Sequence, residues 1–296
     1  MEKPLLNPYL AVLLGVMAVS FASVFTKLAT APPLVIAFYR LGITVLLLSP
    51  LALNSRGRNE LRGVRRRDLL LAAVAGAFLA LHFTVWIMSL NYTSIASSTV
   101  LVTMQPLFVV TLGALFLGEK VGWNGLCGAA VALSGSIVIG LGDFQIGGQA
   151  VIGDGLAFLG AFFVAVYVLI GRDLRARLTL FPYVFLVYGT STVFLLVLNL
   201  AWRTPFYPYP AGDWLCFLGL AVVPTIFGHT VFNWALRYVR ASIVSVSILG
   251  EPVGATFLGY VILHQVPGAL QMAGGFLILG GVYLFISADS KSGPKR

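Results

Sequence analysis

The sequence predicts an all-α integral membrane protein of ten transmembrane helices, arranged as two five-helix repeats of inverted orientation. Three observations carry that prediction. The chain is too apolar for a soluble domain. It divides into ten apolar runs of spanning length, with basic residues gathered on one side. Its two halves match at a constant offset of 146 residues.

Composition comes first. Of the 296 residues, 59% are hydrophobic and only 10% charged, and the mean hydropathy is +0.95. A soluble fold needs a largely polar and charged surface, which this chain cannot supply. A bilayer removes that need, because lipid replaces water around apolar side chains. Cys127 and Cys216 both lie in apolar stretches and make no C-x-x-C pair. They read as small core residues, with no disulfide framework or zinc site implied.

The apolar runs fall near 8–27, 33–53, 69–90, 94–117, 121–141, 151–171, 180–201, 214–236, 241–263 and 268–287. Each approaches the roughly 20 residues that a spanning helix needs. The first follows only Met1–Asn7 and lacks a strongly charged leader region and a clear small-residue cleavage site, so it reads as a retained span. Placing the N-terminus inside puts sixteen of the nineteen Lys and Arg residues in inside segments, from Lys3 through the Arg56–Arg67 cluster to Arg296. Of the others, Arg203 lies in an outside loop, Lys27 at an outer span end and Arg40 within the second span. Basic residues concentrate on the cytoplasmic side of membrane proteins. The net charge of +9 is therefore a topology signal, and not a nucleic-acid footprint. The expectation is a bacterial inner-membrane protein with cytoplasmic N- and C-termini, and with Arg56–Arg67 as a solvated loop near anionic headgroups.

At the 146-residue offset, Tyr92 pairs with Tyr238, Pro106 with Pro252, Gly113 with Gly259, Gly122 with Gly268, Gly128 with Gly274 and Gly135 with Gly281. The Pro and Gly pairs weigh most. Proline removes a helix hydrogen bond and kinks the chain, and glycine lets helices approach closely in lipid. Repeats at 1–143 and 150–288, with a cytoplasmic tail at 289–296, each hold five spans. Five is odd, so the second repeat starts on the opposite side and is inverted. The Gly-rich Asp143–Asp154 segment is the expected junction. Inverted repeats recur in secondary transporters, with the site near the midplane at the repeat interface.

Ionisable groups inside spans are costly and are functional candidates. Glu251 lies about ten residues, or roughly 15 Å, from either end of its span. It precedes Pro252, and its repeat partner Gln105 precedes Pro106; both prolines are expected hinges or kinks. Glu251 either lines a cavity and binds an ammonium group or a proton, or serves as a buried structural hydrogen-bonding group. Arg40 lies roughly 10 Å inside the outer edge. It either holds a carboxylate, snorkels outward, or fixes an internal carbonyl. His82 and Trp86 are four apart and share a helix face. So do His229 and Asn233, with Trp234 adjacent. Imidazole, indole and amide on one face suit a zwitterion with an apolar or aromatic side chain; ordinary helix–helix bonding is the alternative. Tyr39, Tyr167, Thr99, Ser98 and Ser245 complete the candidates, Thr99 and Ser245 being repeat partners. His264 is expected near the outer interface and uninvolved. The three histidines have no metal-ligand spacing, so neither metal nor cofactor is expected. No H-e-x-x-H, G-x-S-x-G or P-loop pattern occurs, which argues against an intramembrane enzyme and a built-in ATP motor.

A set of short motifs spans nearly the whole chain. They are Phe25-Thr26-Lys27-Leu28 with Pro33 and Tyr39-Arg40; Asn91 to Ala96 running into Gln105-Pro106; Leu117-Gly118-Glu119-Lys120; and, in the second half, Arg237-Tyr238 to Glu251-Pro252 with Gly268 and Gly274-Gly275. Together they resemble the drug/metabolite transporter superfamily in its ten-helix, EamA-type branch of bacterial exporters. One departure stands out: the partner of Glu119 is Gln265. The resemblance implies export of small metabolites. Members of similar layout export amino acids, aromatic ones included. Small-molecule substrates and membrane lipids are the implied partners, with no nucleic acid or ATPase subunit. A drug or lipid-like cargo is the alternative within this fold. A receptor or other non-transport membrane protein is the alternative outside it.

Overall fold

A computed structural model describes residue 4 and residues 6–93, 95–118, 121–141, 148–263 and 268–291. Secondary structure among these residues is helical throughout. The ten spans follow the expected order. The first is Pro8–Val19 with Phe21–Leu28, the second Pro33–Ala52, the third Arg66–Ser89 and the fourth Ile95–Val102 with Gln105–Leu117. The fifth is Trp123–Leu141, the sixth Gln149–Arg175 and the seventh Leu180–Ala201. The eighth runs from Ala211 to Ala235, the ninth is Ala241–Ile248 with Glu251–Leu263, and the tenth is Ala269–Lys291. Eight are long and apolar enough to cross a bilayer, and the fifth and tenth contain shorter apolar stretches, Trp123–Val138 and Met272–Ala288. An even number of spans returns both ends of the chain to one side, called here the termini side.

The repeat is visible in the helix boundaries. Ile95 and Ala241, Gln105 and Glu251, and Trp123 and Ala269 begin equivalent helices, each pair 146 residues apart. Both broken spans resume one residue before proline. Pro106 and Pro252 therefore sit in the first turn of a new half-helix, where a missing N–H leaves no bond unmade. The expected mid-helix kink is thus a break placed just ahead of each proline.

The fifth and tenth spans pack most closely. A Cβ added to Gly128 would lie 2.6 Å from Phe285 N and 2.9 Å from Gly281 O, and one on Gly135 would lie 2.6 Å from Gly274 O. Gly128 thus meets Gly281 while Gly135 meets Gly274. Chain order is antiparallel, and exchanging repeat partners maps one contact onto the other. That is the two-fold relation of inverted repeats.

Matching carboxylates tie the repeats together at opposite ends. On the termini side, Glu60 accepts from the backbone N–H of Thr179 at 2.7 Å and from its hydroxyl at 2.5 Å. On the far side, Asp213 accepts from Thr30 N–H at 2.8 Å and Thr30 Oγ1 at 2.9 Å. Each acid grips the threonine of a connection leading into the second helix of the other repeat. Arg177 bridges Asp173 at 2.7 Å and Asp68 at 3.0 Å, which holds its guanidinium above the usual arginine range.

Two expectations need correction. The Arg56–Arg67 segment is not simply a loop: Ser55–Arg62 is helical, with Asn54 Oδ1 accepting from Gly57 N–H as its N-cap. Cys216 is buried as expected, but Cys127 is exposed, on a fifth-span face turned away from the protein interior. Glu119, Lys120, His264, Gln265 and residues 143–147 of the expected repeat junction lie outside the described residues.

Candidate functional site: a polar cavity between the repeats

The second span carries Arg40 inward rather than outward. The residue is 1% exposed. Its Nε donates to Thr225 Oγ1 at 2.8 Å, and its guanidinium carbon lies 4.0 Å from the centre of the Phe83 ring. Outward snorkelling is therefore excluded. Thr225 is placed by an irregularity that the sequence reading did not anticipate. Ala221–Thr230 is π-helical, with Pro224 inside it, and Thr225 donates to Leu220 O five residues back at 2.7 Å. Proline supplies no N–H, so the helix widens there; such segments are frequent at functional sites. Arg40 Nη1 is buried with no hydrogen-bond partner among the described residues.

The third span contributes His82 and Trp86 on one face, their rings parallel to within 3° at 6.3 Å. His82 Nδ1 lies 3.0 Å from Gly160 O of the sixth span. A carbonyl only accepts, so Nδ1 carries the proton and a neutral ring keeps Nε2 as acceptor. Trp86 Nε1 is buried without a partner among the described residues, and so is Gln105 Oε1. Glu251 opens the second half of the ninth span, where the helix N-terminus favours negative charge.

The eighth span adds His229 and Asn233. His229 stands edge-on to Phe83 at 5.4 Å. The Asn233 amide donates to Tyr167 OH at 2.6 Å and to Tyr188 OH at 3.1 Å, and Tyr188 OH lies 3.2 Å from Thr230 Oγ1. Arg175 Nε donates to Asn233 O at 2.9 Å, and Arg172 Nη1 donates to Leu236 O. Asn233 and Tyr167 therefore wall the cavity with their polar groups mutually satisfied. Arg175, counted from sequence as a loop cation, is buried and caps the end of the eighth span, because the sixth helix runs four residues further than expected.

These side chains line one cavity of about 40 Å³. That is room for a few waters, so a metabolite enters only if the walls part. Eight of the thirteen candidates line it: Arg40, His82, Trp86, Gln105, Tyr167, His229, Asn233 and Glu251. Five do not. Ser98 is buried with its hydroxyl 2.6 Å from Ser89 Oγ. Tyr39 donates to Phe206 O at 2.9 Å and stacks on Phe217 in an aromatic cluster on the far side. Trp234 is half-buried against Tyr238. Thr99 and Ser245 are buried in the half-helices ahead of each break, their hydroxyls without partners among the described residues. Phe83, Thr225, Tyr188 and Thr230 were missed. A threonine or phenylalanine inside an apolar run gives no signal of its own, and only Pro224 hinted at the irregular helix.

Ten spans in two inverted repeats around a midplane polar cavity define a membrane transporter fold. Residues 6–141 and 151–287 each match the EamA-like transporter family, and the chain belongs to that family, within the drug/metabolite transporter superfamily. It is similar to a probable terminal-alkyne amino-acid exporter of Streptantibioticus cattleyicolor, 29% identical over 231 residues and 75% of each chain. It is also similar to the pseudopaline exporter CntI of Pseudomonas aeruginosa, 28% identical over 276 residues, 90% of this chain and 93% of that one. A solved crystal structure superposes with a TM-score of 0.79 at 19% identity, over 96% of this chain and 98% of its own, and so shares the fold.

Proposed function

We propose that this protein exports small zwitterionic metabolites, amino acids or their derivatives first, by alternating access through the cavity between its repeats. One observation carries the reading. Donors without a partner among the described residues, Arg40 Nη1 and Trp86 Nε1, border the same cavity as such an acceptor, Gln105 Oε1, and the Glu251 carboxyl. A buried polar atom left unpaired costs free energy. A carboxylate satisfies the two donors, and an ammonium group satisfies the amide oxygen and the acid. A sugar phosphate or nucleotide sugar needs several cations, and among the described residues Arg40 is the one Lys or Arg lining the cavity. Two of the relatives carry exporter names, one of them for an amino acid.

In this reading the termini side, with its basic connections, is cytoplasmic in a bacterial inner membrane. Each broken span supplies a joint at cavity depth, and the repeats rock about the glycine crossing of the fifth and tenth spans. The apolar walls, among them Phe83, Phe232 and Ile248, favour an amphipathic cargo and keep a drug or lipid-like exporter as the second reading. Counterflow in proteoliposomes, across labelled amino acids, drugs and sugars, separates the two. Saturable counterflow of an amino acid supports the proposal, and flux of apolar drugs alone transfers it to the second reading. Absence of flux with every zwitterion contradicts it.

A further inference from the structure

A second cavity, of about 230 Å³, lies away from the central site between the first, ninth and tenth spans. It is apolar and opens sideways, since Leu13, Met17 and Leu279 on its rim are 57%, 60% and 53% exposed. From Tyr9 to Ser20 it follows twelve residues of the first span, roughly 16 Å of helix rise. That matches the roughly 15 Å of one hydrocarbon leaflet. Its mouth, at Tyr9 and Ile286, is on the termini side, where a tyrosine suits the headgroup level. Its blind end is at mid-membrane. There Ser20 Oγ donates to Val16 O at 2.8 Å and Glu251 O at 3.4 Å, and a Cβ on Gly254 would lie 2.1 Å from Ser20 Oγ.

The inverted repeat shows what this void lacks. At the equivalent place in the first repeat the partners of Val12, Val16 and Gly254 are Phe158, Phe162 and Phe108. Those three rings pack together, with Phe108 5.3 Å from Phe158 and 5.5 Å from Phe162. Met104 likewise stands where the second repeat has Gly250. The same helix arrangement is thus plugged by side chains in one repeat and hollow in the other. Close packing makes an empty apolar cleft of this size unfavourable. The material available to fill it is the surrounding bilayer.

We propose that this cleft is a binding site for one acyl chain of a phospholipid from the termini-side leaflet. The chain takes the place that Phe108, Phe158 and Phe162 fill in the other repeat. It lies along Val16 and Gly250 and ends against the Ser20–Glu251 contact. The bound chain therefore supports the ninth-span break from outside the central cavity.

The test is native mass spectrometry of the full-length protein with palmitoyl-oleoyl phosphatidylethanolamine as the probe. Val16→Phe restores the residue type of the first repeat, and Val282→Phe fills the cleft from the tenth span. Leu115→Phe, at a residue 72% exposed in the fourth span, is the control. The wild type and the control are expected to retain one lipid per chain. Each filled variant should lose it by about tenfold or more, the contact of two or so methylenes, with a melting temperature no lower than wild type. Should Val16→Phe not fold, Val282→Phe decides alone. Wild-type-like retention in the folded filled variants, no retained lipid in the wild type, or displacement of the lipid by transported cargo overturns the proposal.

Discussion

Arg40 donates Nε to Thr225 and lays its guanidinium over Phe83, and its Nη1 has no partner among the described residues. Arg40→Lys keeps a charge but loses the planar fork. It is expected to weaken cargo affinity by about ten- to a hundredfold, the range of a lost charge-assisted bond, as read from the concentration dependence of counterflow. Glu251→Gln keeps the shape and removes the charge. Transport at an unchanged rate and pH profile would show that Glu251 neither binds the ammonium nor carries a proton. Asn233→Ala belongs to a different class. It removes the donor that Tyr167 OH and Tyr188 OH both accept from, though Tyr188 keeps Thr230; the lost bonds cost about 1–3 kcal/mol where no water replaces the amide, so it should lower the melting temperature as well as transport. The sequence separated Arg40 and Glu251 from their surroundings because charge in an apolar run is rare. It ranked Asn233 with them, because nothing in a sequence shows that an amide already has its partners.

At the scale of elements, the two broken spans and the glycine crossing were legible and the π-helical segment was not. Pro and Gly act on the backbone, so their recurrence at one offset survives in the sequence. The position of each break, the two residues ahead of Gln105 and Glu251, follows from where a prolyl N–H is not needed. The widening at Ala221–Thr230 depends on Pro224, on the Thr225–Leu220 bond and on Arg40 from another span, and no local pattern encodes that combination. The crossing gives a sharp prediction. A methyl group on Gly281 would fall 2.3 Å from Ala132 N, which is backbone and cannot yield as a flexible side chain does. Gly281→Ala should therefore lower the melting temperature markedly. A wild-type value would mean that the fifth and tenth spans are less closely packed.

The whole molecule is two similar halves facing opposite ways, and its polar ties obey the same symmetry. Glu60 holds Thr179 at one end and Asp213 holds Thr30 at the other. If the repeats rock, these ties carry unequal loads in the two states. Asp213→Asn and Glu60→Gln should then shift cysteine accessibility of cavity residues toward opposite sides of the membrane, whereas equal shifts would argue against rocking. The span count and the inversion were both legible, because hydropathy responds directly to the bilayer and the Pro and Gly pairs recur at one offset. The polar helix Ser55–Arg62 and the constricted cavity were not, since both depend on packing between distant segments.

The central claim is that a zwitterion binds between the repeats, held by Arg40 at one end and Glu251 at the other. Counterflow of a labelled amino acid into proteoliposomes, competed by the same compound as its carboxamide and as its N-acetyl derivative, tests both ends together. The account predicts saturable uptake, weak competition by either blocked analogue, and selective relief of the carboxamide penalty in Arg40→Ala. Equal competition by the zwitterion and both analogues, or no amino acid counterflow, would contradict it.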